Sequence, residues 1–474
     1  MRQVRQVSKL RRDRNVKDSL KRELMISDIN PIIDSIAARL AHMGLDAYEL
    51  FSASSAGLTI EIKDGVLDVF VAAENTGLSI RALKDHRLGF GFCTDLSPAV
   101  VFALVDRVVQ AASESDPDPF VGFPPPPTET MPRLQQFDHR LESIPIKDKI
   151  NGARRLEAAA RSSDPRIKKV RKAAYVETTG RVTILNHTGL KLRYEKTLVS
   201  GSILVVAEEG KNAEIGWDYG FSPFFRSLDL ESIGRTAAGR AVSMLGARPV
   251  RSTQVPAIFP PQVASDVLKV LSASFMADNI QKGKSMLVGR LKEEVFSPHV
   301  TILDDGLYPA GIASSPFDDE GSLHRRNLLV SGGILKGFLY DQYTANKEGL
   351  VSTGNAGRQG IDSAPSVQAT NLYIRPCSVD PAKLISDVDK GVLVTDIMGL
   401  HTADPISGDF SVGATGLWIE RGETVFPVKG FAISGNLIDL FKNVDAIGND
   451  LRFYGQFGSP TLRVSNLNIA GTDS

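Results

Sequence analysis

The residues of this chain that could do chemistry are scattered, and their spacing rules out more than it allows. The seven histidines (His42, His86, His139, His187, His299, His324 and His401) stand alone, with no pair at i,i+4 or i,i+5. That spacing is how one helix face offers two imidazoles to a metal. Cys93 and Cys377 lack a second Cys or a His at ligand distance, and two cysteines cannot build a disulfide framework. Carboxylates are grouped more closely: Asp304-Asp305, Asp318-Asp319-Glu320, Asp404 and Asp409 crowd the C-terminal third. Such groups can bind Ca²⁺ or Mg²⁺, or act as acid and base. The segments DDG and PFDDEG, however, have the composition of turns, where Asp caps backbone N–H groups beside Gly and Pro. They do not follow the D-x-[DN]-x-[DN]-G calcium loop, so turn chemistry is the preferred reading. GDFSVGAT, from Gly408 to Thr415, has the glycine spacing of a phosphate loop. Ala414 stands where that loop needs Lys, and a hairpin follows where it needs a helix. Gly354 to Gly360 reads as a flexible loop. No G-x-S-x-G precedes a helix, so Ser285 and Ser407 lack a nucleophile's setting.

The bulk numbers bound the rest. A chain of 474 residues is too long for one ordinary core. Apolar content of 42% and charged content of 23% are those of a soluble globular protein. Lys+Arg and Asp+Glu are both 55, whereas a general polyanion binder carries a basic excess, so no direct nucleic-acid partner is expected. No apolar run approaches the roughly 20 residues that cross a bilayer, so no membrane partner is expected, and the cytoplasm is the expected compartment. Residues 1–26 are strongly basic and offer no buried face. They read as a disordered tail, with an ordered chain starting near Met25.

The elements that position these residues suggest an α+β protein. Residues 27–115 read as an N-terminal domain of helix, antiparallel strands and helix. Asn30-Pro31 opens its first helix. Hairpins turn at Lys63-Asp64-Gly65 and Lys84-Asp85-His86. Residues 116–136 form a stiff Pro-rich linker. Residues 137–247 hold a helix, a β-meander with turns at Thr179-Gly180 and Thr188-Gly189, and a small-residue helix. These two units form one N-terminal α/β lobe. Residues 250–474 read as a mostly-β domain, barrel- or sandwich-like, with one amphipathic helix. Val263, Val267, Leu268, Leu271 and Phe275 give that helix its period, from Val263 to Gly283.

Several stretches carry a resemblance. GKSMLVGRLKEEVFSP, TILDDG, SPFDDEG, YDQYTANKEGLVSTGNAGR, SGDFSVGATGLWIERGETVFPVKGFAISGNL and GNDLRFYGQFGSPTLRV together resemble the PmbA/TldE half of the TldD/PmbA metallopeptidase family, often labelled modulators of DNA gyrase. The resemblance runs over nearly all the chain from about Asp28 onward. TldD-like members carry H-E-x-x-x-H on the amphipathic helix and a cysteine near the C-terminus. Counted without gaps, those positions fall here at Leu268, Lys269, Ala273 and Ala446, so none of the zinc ligands and no catalytic base is present.

The resemblance implies a cytosolic complex that cleaves unfolded or modified peptides. Zinc would sit in a TldD-like partner, and this chain, with no cofactor and no catalytic residue of its own, would work only beside that paralogue, or form a homodimer without it. A groove for peptide or partner is expected around Ser285, Phe317, Asp318, Asp319, Glu320, Asp409 and Phe410. The alternative is a stand-alone peptidase using an acidic metal site in the C-terminal domain.

Overall fold

The computed structural model describes residues 29–472; the basic tail expected over residues 1–26 lies outside them. Strands β1 (Ala47–Lys63) and β2 (Val66–Lys84) turn at Asp64 (φ 51°) and Gly65 (φ 74°). Two consecutive left-handed residues give the turn whose twist matches its strands. Asp85 and His86 turn β2 into β3 (Arg87–Cys93) in the same way. With β4 (Ile167–Asn186), β5 (Lys191–Glu209) and β6 (Asn212–Ser222), the sheet order is β3-β2-β1-β4-β5-β6, antiparallel throughout. The two units before residue 247 therefore share one continuous sheet.

One glycine read as a turn signal, and one that the sequence does not single out, both lie inside strands. Gly180 lies inside β4, paired to both Ser55 and Lys196, so no turn forms at Thr179-Gly180. Gly77 lies inside β2, where a Cβ would meet Ile361 Cγ1 at 2.8 Å. At Gly77 that close approach requires the missing side chain, whereas a Cβ at Gly180 would have nothing nearer than 4.0 Å.

Helices α1 (Asn30–Leu40), α2 (Pro98–Glu114), α3 (Ile146–Ser163) and α4 (Leu230–Ser243) cover one face of the sheet. Helix α1 has Ile29, not Asn30, in the capping position. The Pro-rich segment is an extended strap between the two halves. The Tyr343 hydroxyl donates to Asp118 (2.8 Å), the Asn346 amide to the Phe120 carbonyl (2.8 Å), and the Asn186 amide to the Pro124 carbonyl (2.8 Å).

The C-terminal half is built on β7 (Thr253–Phe259) and helix α5 (Pro261–Ser272). A six-stranded mixed sheet contains β8 (Ile302–Asp305), β9 (Arg326–Ser331), β10 (Ile334–Leu335) and β11 (Leu372–Ile374). The long strands β12 (Lys390–Met398), β13 (Asp409–Glu420) and β14 (Glu423–Asn436) join β7 in a barrel. Strand β15 (Val444–Ile447) hangs on its rim, and the hairpin β16 (Arg452–Tyr454) and β17 (Phe457–Ser459) completes the mixed sheet. Strand β18 (Leu462–Ala470) closes the barrel by pairing with both β7 and β14. The expected barrel-like domain is thus a closed five-stranded barrel.

Helix α5 fills the main core between barrel and mixed sheet. It stops at Ser272, well short of Gly283. The chain tightens into a 3₁₀ turn over Ala273–Phe275 and extends at Met276 (φ −77°, ψ 123°). There the Ala277 N–H donates to the Leu339 carbonyl (2.9 Å) and the Leu339 N–H to the Phe275 carbonyl (2.8 Å). Pairing to a distant segment replaces the helical bonds that periodicity alone would continue.

Candidate functional site

Helix α5 is where the resemblance would place the metal motif of TldD-like members. Pro260 and Pro261 fix its start, because a proline in the first turn gives up an N–H that the helix does not use. Leu268 is 0% exposed within the main core, Lys269 is exposed, and Ala273 is half-buried in the 3₁₀ turn. An aliphatic side chain, an ammonium and a methyl offer no lone pair to zinc, so these residues do not fit that metal. Ala446 sits on β15 opposite Arg463 and packs with Ile258, Leu384, Val388 and Ile419, apart from the core cluster that holds Leu268. The β16–β17 hairpin lies along α5 instead. Among the described residues no three His, Cys, Asp or Glu side chains converge as a metal site.

Two carboxylates that sequence reasoning passed over meet here, Asp266 on this helix and Asp396 on β12. Burial pushes the Asp266 carboxyl up, and the charge of Asp396 on β12 adds to it, while Lys269 opposes both. Asp396 is also raised by burial, opposed by the Ile397 N–H and by Arg240. Asp266 lies two residues before Leu268, but Asp396 is distant in sequence, so only the fold pairs them.

The acidic loop SPFDDEG is buried. Asp318 Oδ1 accepts from the N–H groups of Glu320 (3.0 Å) and Ser322 (2.9 Å), and Oδ2 from that of Ala356 (3.0 Å). This is turn and cap chemistry, as its composition suggests. Burial, and then Glu320, push the Asp318 carboxyl well above its ordinary range against those donors. Asp319 Oδ2 accepts from the Arg358 N–H (2.8 Å), and burial raises it as well. Lys196 on β5, desolvated near Asp319, is pushed below the usual lysine range.

Glu320 belongs to an ionic network between sheet and C-terminal domain. Arg81 on β2 donates to Glu49 on β1 (Nη2–Oε2 2.6 Å) and to Glu320 (Nη1–Oε1 3.0 Å). Arg358 Nη2 reaches Glu49 Oε1 at 2.6 Å. Burial raises Glu320, and Arg81 opposes it. Burial alone would lower the Arg81 guanidinium, yet Glu49 and Glu320 hold it above its ordinary range. Phe317, expected to line a groove, is instead 0% exposed, its ring 5.0 Å from that of Tyr194. Among the described residues its neighbours are Phe51, Ile184, Leu190 and Leu323, contributed by both halves.

The stretch STGNAGR closes this junction from the other side. Gly354 (φ 73°) lies so close to the Leu323 carbonyl that a Cβ would be 2.4 Å away. The neighbouring Asn355 amide donates to Asp304 Oδ2 (2.7 Å), and Thr370 donates to both Asp304 oxygens. Burial pushes the Asp304 carboxyl up to about 6 despite these donors. His324, 7% exposed, has no hydrogen-bond partner at Nδ1, and burial pushes it down to about 4.

The remaining positions lie elsewhere. Ser285 is buried; its hydroxyl donates to the Ser274 carbonyl (2.8 Å) and accepts from the Leu287 N–H (3.1 Å), a local bracket behind α5. Asp409 is exposed and accepts from the Asn436 amide (2.9 Å). Phe410, 7% exposed, lines a surface cavity of about 320 Å³ with Ser434, Asn436, Asn443 and Asn468. The structure thus brings together Phe317, Asp318, Asp319 and Glu320, and separates them from Asp409 and Phe410 at the barrel.

Comparison with known proteins agrees with this architecture. The profiles of the PmbA/TldA metallopeptidase domain 1, central domain and C-terminal domain match residues 48–114, 139–245 and 252–471. The metalloprotease PmbA of Escherichia coli O157:H7 is 29% identical over 442 residues, which covers 92% of this chain and 95% of that protein. A Thermotoga maritima MSB8 structure, named as a modulator of a DNA gyrase, superposes with a TM-score of 0.86 at 27% identity, covering 94% of this chain and 100% of that one. TldE from Thermococcus kodakarensis, at 23% identity, has the same fold, with a TM-score of 0.86 over 93% of this chain and 100% of that one. The chain belongs to the PmbA/TldD metallopeptidase family, on its PmbA/TldE side.

Proposed function

We propose that this chain is the non-catalytic subunit of a two-chain, TldD/TldE-type zinc metallopeptidase that cleaves unfolded or modified peptides in the cytoplasm. The observation that carries the reading is helix α5. It keeps the family's scaffold but presents Leu268, Lys269 and Ala273 where a TldD-like chain presents its metal motif. Zinc would be held by the TldD-like partner, and this chain would contribute surface. In the alternative, the chain is a peptidase by itself through an acidic metal site in the C-terminal domain. It would have to recruit Asp304, Asp318 and Asp319, whose oxygens already accept from backbone and side-chain donors. Equal numbers of acidic and basic residues also favour a peptide partner over direct contact with DNA.

The test is metal content together with peptidase activity. Purified chain after dialysis should hold well under one zinc per chain. It should cleave an unfolded peptide only when a TldD-like chain is added. One tightly held zinc per chain, or full activity of the chain alone, would overturn the reading.

A further inference from the structure

We propose that the open face of the six-stranded sheet is where this chain meets its partner, a TldD-like chain of the same fold laying down its own equivalent face. The proposal rests on the subunit reading above and adds the place of contact. Burial along the strands marks the face. From Ala53 to Ile62 in β1, the even-numbered residues are buried and the odd-numbered ones half-buried. Strand β5 alternates in the same way from Thr197 to Val205. The buried set lies under α3 and α4. At the other end of β1, from Glu49 to Ser52, both sets are buried, because Phe317 and Arg358 of the C-terminal domain cover that end.

The register carries the uncovered face across five strands. Val71, Thr59, Val176, Ser200 and Phe221 form one row. The next row runs from Val69 through Glu61, Ala174 and Ser202 to Tyr219. Glu61 is neutralised by Lys172 at 2.5 Å. The middle of the face is small and β-branched. Its β6 border is bulky, with Ile215 52% and Trp217 36% exposed and the Tyr219 and Phe221 rings 5.8 Å apart.

Geometry selects the occupant. Five strands about 4.8 Å apart, used over a length of roughly 20 Å, make a face of about 500 Å². An extended peptide would cover a fraction of that width. Two such faces would bury about 1,000 Å², the lower bound for a specific protein interface. Sheets pack face to face about 10 Å apart when small side chains of one receive large ones of the other. A nucleic acid would need unpaired cations here, and the charges in these rows are paired. Edge-on addition of a strand is blocked on β6, because Arg240 caps the Trp217 carbonyl (2.9 Å) and Arg452 the Tyr219 carbonyl (2.9 Å). Both arginines are anchored on Asp218. On this side of the sheet, face-on contact is what remains.

The experiment measures binding of the full chain to a TldD-like chain by sedimentation and titration. Ser200→Arg and Thr59→Arg place bulk in the middle of the face, and Ile215→Asp places charge at its border. Ile406→Asp, on an exposed barrel loop, is the control. Thermal melts establish that each variant folds. The three face variants should bind about 30-fold or more weakly, the range of an interface hot spot, and the control should bind like the parent. If the folded face variants bind as the parent does, the face is wrong while the subunit reading stands. If the parent binds no TldD-like chain and only pairs with itself, both fall.

Discussion

His324 and Asp304 are both buried at the junction, but burial favours the neutral form of each, so their effects on stability have opposite signs. His324 is pushed from 6.5 down to about 4. Its contribution is fully present above about pH 6.5 and is lost as pH falls through 4, because the unfolded chain takes the proton first. Asp304 is raised from 3.8 to about 6. Its contribution is present below about pH 4 and is lost as pH rises through 6. Over that interval the two nearly offset, which hides each in the parent. His324→Gln should uncover the pair. Relative to the parent, the variant should gain about 3 kcal/mol between pH 7 and pH 4, the size of a shift of about 2.5 units. Urea unfolding at the two pH values checks this; an unchanged difference would mean His324 titrates normally. Neither residue was legible in the sequence as more than a lone histidine and a turn aspartate. Their environment comes from residues on other loops and strands, such as Asn355 and Thr370 around Asp304 and Gly354 and Lys196 around His324.

The elements were more legible than the residues. Left-handed Asp-Gly and Arg-Gly pairs reverse the chain at residues 64–65 and 421–422, and alternation marked the strands between such turns. What misled was a glycine in mid-strand: Gly180 read as a turn and instead pairs on both sides within β4. Gly77, Gly89 and Gly216 also lie inside strands, and there what each faces at close range is set by tertiary packing. Gly216 shows the cost. A Cβ there would stand 2.2 Å from the Ala237 carbonyl and 2.5 Å from the Ala241 N, the backbone of α4. Backbone cannot rotate away as a side chain can, so Gly216→Ala should push α4 off β6 and destabilise by about 1–3 kcal/mol or more, as overpacking does. Gly239→Ala on the same helix is the comparison, since nothing lies within 4 Å of its Cβ; it should be neutral or slightly stabilising. The pair of melts fails the argument if both substitutions behave alike. The break in α5 was hidden for a related reason. Its apolar period continues through Phe275, and only the pairing with Leu339 ends the helix.

At the scale of the whole molecule, the stretches that carried the family resemblance turn out to join its halves. SPFDDEG and STGNAGR meet the sheet through Arg81, Arg358 and Glu49, and Arg81 and Glu320 are 239 positions apart. A sequence without partners marked offers no sign of such a junction, which is why Phe317 read as a groove residue. Each guanidinium is also capped by an aromatic ring, Arg81 by Phe123 at 4.8 Å and Arg358 by Phe51 at 4.4 Å. A buried ion pair contributes little net stability compared with an apolar replacement, but removing one partner strands the other charge. Arg81→Met does this twice, leaving Glu49 and Glu320 facing one another with only Arg358 nearby. The expected cost is about 3–5 kcal/mol, concentrated where sheet and C-terminal domain meet. The barrel has its own core around α5, and the sheet has separate cores under its helices. Weakening the junction should therefore split unfolding into two steps, the sheet and the barrel melting separately. Adding Glu320→Gln to Arg81→Met should recover part of the loss by removing one stranded carboxylate. Calorimetry of the parent, the single and the double variant decides the matter. A single transition within about 1 kcal/mol of the parent in Arg81→Met, below the range for breaking a buried pair, would mean that apolar contacts such as Phe317 with Tyr194 hold the halves together without the ions.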